Sequence, residues 1–205
     1  MSGNNFRKRN LGKDNKGKPA IFLDRDGTVI EDLSYLCDHN KVYLLPEVIP
    51  ALKLLKKSGF MLILATNQSG IERKLITLEQ LKKIHNRLAA ILTLNDVKLD
   101  GIYFCPHHPD TKCTCRKPQP GMALWAKKKF NLDLEKSFSI GDKISDVEFA
   151  KKFSGTSVLI SSSNIKKNFI SGGVTPDYVA KNILDAARWI VRKRDASNKG
   201  QKAGV

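Results

Sequence analysis

Long hydrophobic runs are missing from this chain of 205 residues: the longest uninterrupted apolar stretch is Phe60 to Ala65, far short of the ~20 residues that a membrane-spanning helix needs. Apolar segments are also missing from the first nineteen residues, where Phe6 and Leu11 are the only sizeable apolar groups, so nothing there resembles a secretory signal and a cytoplasmic location is expected. Cysteine is scarce, with four in all, and in a reducing compartment these are better suited to thiols or metal ligands than to disulfides. Internal repeats are absent. Acidic residues are the other shortage, 20 against 36 Lys and Arg, which leaves a formal charge of +16. Hydrophobic residues still make up 41% of the chain, enough to fill the core of one domain and to exclude wholesale disorder.

The excess charge sits mostly at the ends. Residues 1–19 hold six basic and one acidic residue, a balance of +5, and residues 188–205 hold the same. Clustered Lys and Arg can bind polyphosphates through counterion release. Few aromatic stacking groups accompany them, however, so flexible solvated tails over 1–19 and 191–205 are the favoured reading and nucleic-acid binding through them the lesser one. The domain is expected over residues 20–190.

Within it, short apolar runs alternate with amphipathic stretches, the pattern of an α/β fold with a doubly wound parallel sheet in three layers. Strands are expected at Ala20–Leu23, Phe60–Ala65, Gly101–Phe104, Ser137–Ile140 and Ser157–Ile160, all short, as befits strands buried on both faces. Helices are expected around Val48–Leu55, after a Thr77/Gln80 capping box, after Pro120 and after Asn182.

Each of the first four strands leads to polar residues able to do chemistry. Asp24-Arg25-Asp26-Gly27-Thr28 follows the first and Thr66-Asn67-Gln68-Ser69-Gly70 the second; the third leads to Arg116-Lys117-Pro118, and the fourth to Gly141-Asp142-Lys143 with Asp146 beyond. Ligands of such sheets bind outside the carboxyl ends of the strands, so carboxylates, a hydroxyl and a lysine would converge there. That set suits phosphoryl transfer: oxygen ligands for Mg2+, a carboxylate that can accept a phosphoryl group, and donors for its oxygens. Separately, Cys105-Pro106-His107-His108 and Cys113-Thr114-Cys115 can supply a closed Cys3His shell for a structural Zn2+, with His107 or His108 as its imidazole. Cys37 has no such partners at ligand spacing, and His85 flanks the core face of a helix.

Over residues 20–180 these four segments resemble the motifs of the haloacid-dehalogenase-like (HAD) phosphatases, and most closely the heptose-bisphosphate phosphatases and the related histidinol-phosphatase domains. The resemblance implies that Asp24 is the nucleophile and that Asp26 protonates the leaving alkoxide and then activates water. It also implies Mg2+ on Asp24, the Asp26 carbonyl and Asp142, with Asp146 as a further support, and Thr66 and Lys117 on the transferring oxygens. Substrate contacts would come from Arg116, Lys143, Asp32, Ser34, Tyr35, Asn67, Gln68 and Ser69, and zinc would be held by Cys105, His107, Cys113 and Cys115. Thr28–Pro46 and Asn67–Phe104 leave no room for a lid, so a capless site is expected. The implied activity is removal of the C7 phosphate from a heptose 1,7-bisphosphate by a monomer. Histidinol phosphate is the alternative substrate, and a polynucleotide 3'-phosphatase or a non-catalytic basic binding protein fits less well. Glu72-Arg73-Lys74 departs from the Ala/Gly-Arg-Gly common in these relatives.

Overall fold

The computed structural model describes residues 17–161 and 173–202, the last five of them as backbone only. Six strands, β1 (Ala20–Leu23), β2 (Met61–Asn67), β3 (Gly101–Cys105), β4 (Phe138–Gly141), β5 (Thr156–Ile160) and β6 (Tyr178–Ala180), form one sheet. Every pairing is parallel and the order is β3-β2-β1-β4-β5-β6. The direction of winding reverses between β1 and β4. The crevice outside the carboxyl ends of these two strands is the place where a doubly wound sheet accepts its ligand.

Successive residues of β1 point to opposite faces, and both faces are covered. Ile21 and Leu23 pack with residues of α1 (Val48–Lys57), α2 (Leu78–Leu94) and α5 (Ile183–Lys202). Ala20 and Phe22 pack with α3 (Gly121–Phe130) and α4 (Ile144–Lys152). Phe22 lies in a trio of rings with Phe149 and Phe153, at centroid distances of 5.7 and 5.1 Å. Burying such a ring contributes about 2–3 kcal/mol. The result is a three-layer α/β/α domain. Thr77 and Gln80 form the expected capping box on α2, and Pro120 caps α3. Between β1 and α1 there are only a 3-10 turn at His39–Lys41 and isolated bridges from Ile30 to Asp26 and to Leu44. Between β2 and β3 there is only α2, so the described residues contain no lid domain. No helix among them is long and apolar enough to cross a membrane.

The structure departs from the sequence expectation at the carboxyl end. Residues 191–202, expected as a flexible tail, continue α5. Long-range contacts from Arg194 account for this, since it donates to the Ser58 carbonyl and lies over the Phe60 ring, and within the helix Lys193 lies 5.0 Å from the centroid of Trp189. Two elements, α4 and the short β6, were not anticipated. Residues 1–16 of the amino-terminal tail and the Ser162-Ser163 part of the serine turn lie outside the described residues.

Candidate active site and metal centre

β1 delivers Asp24 to the crevice, where the Asp24 amide donates 2.9 Å to the Ile140 carbonyl and so ties the ends of β1 and β4 together. The chain then turns sharply, the Arg25 carbonyl accepting from the amides of Val29 and Ile30 at 2.9 and 3.0 Å. Gly27 makes the turn possible. Its φ is +76°, and a Cβ there would stand 2.5 Å from Asp142 Oδ2, so glycine lets the carboxylate beyond β4 approach the first motif.

Lys117 is the centre of the cluster. Its ammonium is buried, 2.7 Å from Asp24 and 2.5 Å from Asp146. Burial alone would lower its pKa, yet the carboxylates of Asp146 and Asp24 hold it above the ordinary lysine range. Burial pushes Asp146 up to about 6, with Lys117 opposing, so at neutral pH the lysine is cationic and Asp146 mostly ionised. Asp146 is thus spent on Lys117 and on the amide of Lys143, which donates to it at 3.2 Å. Asn67 fixes the backbone of Lys117 from both sides. Its Nδ2 donates 3.0 Å to the Lys117 carbonyl, and its Oδ1 accepts 2.9 Å from the Lys117 amide.

Asp26 is raised by burial, and further by Asp24, while Arg25 opposes. A raised carboxyl suits a proton donor. Gln68 Nε2 lies 2.9 Å from Asp26 Oδ2 and 2.9 Å from Thr66 Oγ1, joining the first motif to the second.

Asp142 Oδ1 is buried without a hydrogen-bond partner, and burial raises its pKa. Carboxylate oxygens of Asp24, Asp142 and Asp146 all lie within 4.8 Å of one another. An orphaned oxygen within such a cluster of acids is what a hard divalent cation would satisfy.

A cavity of about 250 Å3 opens beside Asp26, and seven of the eight expected substrate residues line it: Asp32, Ser34, Tyr35, Asn67, Gln68, Ser69 and Lys143. Ser34 and Tyr35 bend into it with φ of +46° and +54°, a conformation that a bulky residue rarely adopts. Lys143 and Asp32 face each other at 3.3 Å. Arg116, the eighth, does not line this cavity; its Nη1 donates 3.4 Å to the His107 carbonyl.

The cysteine loop is closed around a second centre. Cys105 Sγ is 3.7 Å from Cys113 Sγ and 3.3 Å from Cys115 Sγ, and His107 Nδ1 is 3.4 and 3.2 Å from Cys105 and Cys115. A tetrahedral zinc shell separates its ligand atoms by roughly 3.5–3.8 Å. Burial raises the thiols of Cys105 and Cys115, so only a bound cation would hold them as thiolates. His108 stands outside the group. Its amide donates to Glu72, whose other oxygen accepts 3.1 Å from Thr111, so the departure at Glu72 latches the cysteine loop to the segment after β2. Gly121 presses α3 against the same loop, since a Cβ there would meet the Thr114 carbonyl at 2.3 Å.

Two residues of the site escaped the sequence reading. Arg25 and His85 form a buried chain behind Asp26. The available signals were an arginine set between two aspartates and a histidine on the apolar stripe of α2.

A family model described as Polynucleotide kinase 3 phosphatase matches residues 19–170. The D-glycero-beta-D-manno-heptose-1,7-bisphosphate 7-phosphatase of Yersinia pestis is 42% identical over 180 residues, 84% of this chain and 95% of that protein. The enzyme of the same name from Escherichia coli K12 is 42% identical over 153 residues, 71% of this chain and 80% of its own. The crystal structure of D,D-heptose 1,7-bisphosphate phosphatase from B. bronchiseptica, complexed with magnesium and phosphate, superposes with a TM-score of 0.76 at 30% identity, covering 85% of this chain and 99% of that one. The chain belongs to this family of HAD-like phosphatases, and within it to the group of the D-glycero-beta-D-manno-heptose-1,7-bisphosphate 7-phosphatases.

Proposed function

We propose that this chain is a Mg2+-dependent phosphatase that removes the C7 phosphate of D-glycero-D-manno-heptose 1,7-bisphosphate through an aspartyl phosphate on Asp24. The observation that carries the reading is the cluster of Asp24, Asp142 and Asp146, with carboxylate oxygens within 4.8 Å of one another and the Lys117 ammonium 2.7 Å from the nucleophile, beside a cavity that Asp26 lines.

Asp24 attacks the phosphorus, and the bond from phosphorus to the C7 oxygen breaks as the new one forms. Asp26 gives its proton to that oxygen, so the sugar leaves as an alcohol rather than an alkoxide. Asp26, now a carboxylate, takes a proton from water as the water attacks the phosphoaspartate, and inorganic phosphate leaves with Asp24 restored. Thr66 accepts from Gln68, which frees its own O–H to donate to an equatorial phosphoryl oxygen, and Lys117 donates to another. Asp24, Asp142 and the carbonyl of Asp26 would hold Mg2+, and the unpartnered Asp142 Oδ1 fits that role. When bound, the ion offsets the repulsion between a dianionic phosphate and the attacking carboxylate. Cys105, His107, Cys113 and Cys115 would hold Zn2+ with no open position; the ordered loop then keeps Arg116 and Lys117 in place.

The family model favours a second substrate, a 3'-phosphorylated polynucleotide. The test is phosphate release with Mg2+ from heptose 1,7-bisphosphate, histidinol phosphate and a 3'-phosphorylated oligonucleotide. The heptose should give the highest kcat/KM and Asp24→Asn should reduce it to background. A higher kcat/KM on either of the other two would overturn the assignment.

A further inference from the structure

Arg25 stands between the two aspartates of the first motif, yet it is the largest fully buried side chain described, 1% exposed. A guanidinium keeps its charge in a protein, so burying it demands partners for its donors. Nε donates 3.0 Å to Asp26 Oδ1 and Nη2 donates 2.9 Å to Asp26 Oδ2, a fork across the carboxylate. Nη2 also donates 3.1 Å to Gln68 Oε1. Nη1 lies 3.4 Å from His85 Nε2 on α2. Because the guanidinium can only donate, Nε2 is the acceptor; the imidazole is therefore neutral, with its proton on Nδ1. Burial, reinforced by Arg25, pushes the pKa of His85 down to about 3, in keeping with that state.

The fork leaves the two oxygens of Asp26 unequal. Oδ2 accepts from both Arg25 Nη2 and Gln68, which uses its two lone pairs, whereas Oδ1 accepts the Nε–H; Nη2 also lies 2.9 Å from Oδ1, but its two protons go to Oδ2 and to Gln68 Oε1. One site remains open on the carboxylate, and it is on Oδ1.

We propose that Arg25 and His85 are positioning residues for acid–base catalysis by Asp26: His85 anchors the guanidinium to α2, and the guanidinium, with Gln68, turns the carboxyl so that Oδ1 carries the proton passed to the leaving oxygen. This rests on the phosphatase reading above. It assigns a function to two buried residues that act through Asp26 rather than as ligands of a metal.

Leaving-group dependence tests it. The heptose bisphosphate expels an alkoxide that must be protonated, whereas p-nitrophenyl phosphate expels a phenolate that needs no proton, and kcat/KM reports only the steps through phosphoryl transfer to Asp24. His85→Leu, on the apolar face of α2, should lower kcat/KM for the heptose bisphosphate by about tenfold or more while changing that for p-nitrophenyl phosphate by less than about twofold. His85→Gln keeps an acceptor and should recover most of the loss. Arg25→Lys keeps the charge but not the fork, and should show the same substrate-selective loss. In an Asp26→Asn background, His85→Leu should change the ratio of the two substrates no further. Equal losses on both substrates would reduce the chain to a packing role, and wild-type rates on the heptose in His85→Leu and Arg25→Lys would refute it. Absence of Mg2+-dependent phosphate release from either substrate by the wild-type protein would instead remove the phosphatase reading itself.

Discussion

The neutral state of His85 can be measured without any substrate, through the pH dependence of stability. In the unfolded chain the imidazole titrates near its ordinary 6.5, whereas in the fold burial, with Arg25 beside it, pushes it down to about 3. Between those values the unfolded state binds a proton that the folded state refuses. The stability that His85 contributes is therefore present above pH 6.5 and lost as the pH falls, by up to ~1.4 kcal/mol per unit. From pH 7.5 to 5.0 the loss is about 2 kcal/mol. Asp146 works the other way, because its folded value of about 6 lies above the ordinary 3.8, so acidification through that window favours the fold by about 1 kcal/mol. The wild-type curve alone thus hides the effect, and the difference between wild type and His85→Gln isolates it. Urea unfolding followed by far-ultraviolet circular dichroism at the two pH values should show the variant gaining about 2 kcal/mol on the wild type on acidification. A change in that difference below about 0.5 kcal/mol, within ordinary additivity, would mean that His85 titrates normally and cannot be the acceptor for Arg25.

Cys113→Ala should abolish bound zinc, measured by atomic emission, and lower kcat by about tenfold through a loosened Arg116-Lys117 segment; full activity in verified zinc-free protein would refute the positioning role of the loop. Gly27→Ala places a Cβ 2.5 Å from Asp142 Oδ2 at a φ of +76°. It should cost about 1–3 kcal/mol in a melt and raise the Mg2+ concentration needed for half-maximal activity; an unchanged Mg2+ requirement would separate the turn from the acid cluster. Asn67→Ala should lower kcat about tenfold with KM nearly unchanged, because its amide clamps the Lys117 backbone. A raised KM with kcat intact would make Asn67 a substrate contact instead.

The parts of this site that were legible in the sequence are those that follow directly from where a strand ends. Asp24, Thr66 and Asp142 each stand just after or at the end of an apolar run, and the parallel sheet brings such ends to one edge whatever lies between. What each side chain does once there depends on partners remote in sequence. Asn67 and Gln68 line the cavity as expected, but the amide of Asn67 is engaged by Lys117, 50 residues away, and that of Gln68 by Arg25 and Asp26. Asp146 was readable as an acid near the metal, and only the packing reveals Lys117 as its partner. The same reason hid the end of α5. A run of Arg and Lys after Ile190 has the composition of a solvated tail, and its helix is held by a contact from Arg194 to Ser58, 136 residues apart. β6 escaped because it has three residues, too few for a pattern.

Part of the basic excess between the two ends of the chain has a physical reading in this fold. Lysines close the last turns of α1, α3 and α4, at Lys56-Lys57, Lys127–Lys129 and Lys151-Lys152, where they complement the negative ends of the helix dipoles. Each of these helices leads into the start of the next strand, so its last turn lies at the edge opposite the acids. The described chain also begins there, with the Lys18 amide on the Asn131 carbonyl, and Arg194 reaches Ser58 there. Strands of four to seven residues separate the two edges by roughly 13–23 Å, beyond the ~8 Å over which exposed charges act in physiological salt. At the catalytic edge the balance is different. Asp24, Asp26, Asp32, Asp142 and Asp146 stand with Arg25, Arg116, Lys117 and Lys143, five carboxylates with four cations, which leaves this set one unit negative when all are ionised. The groups nearest the reacting phosphate are therefore slightly acidic within a strongly basic protein. A bound divalent cation would reverse that sign, and the protonated state of Asp26 needed for the first step would shift it one unit further toward the substrate.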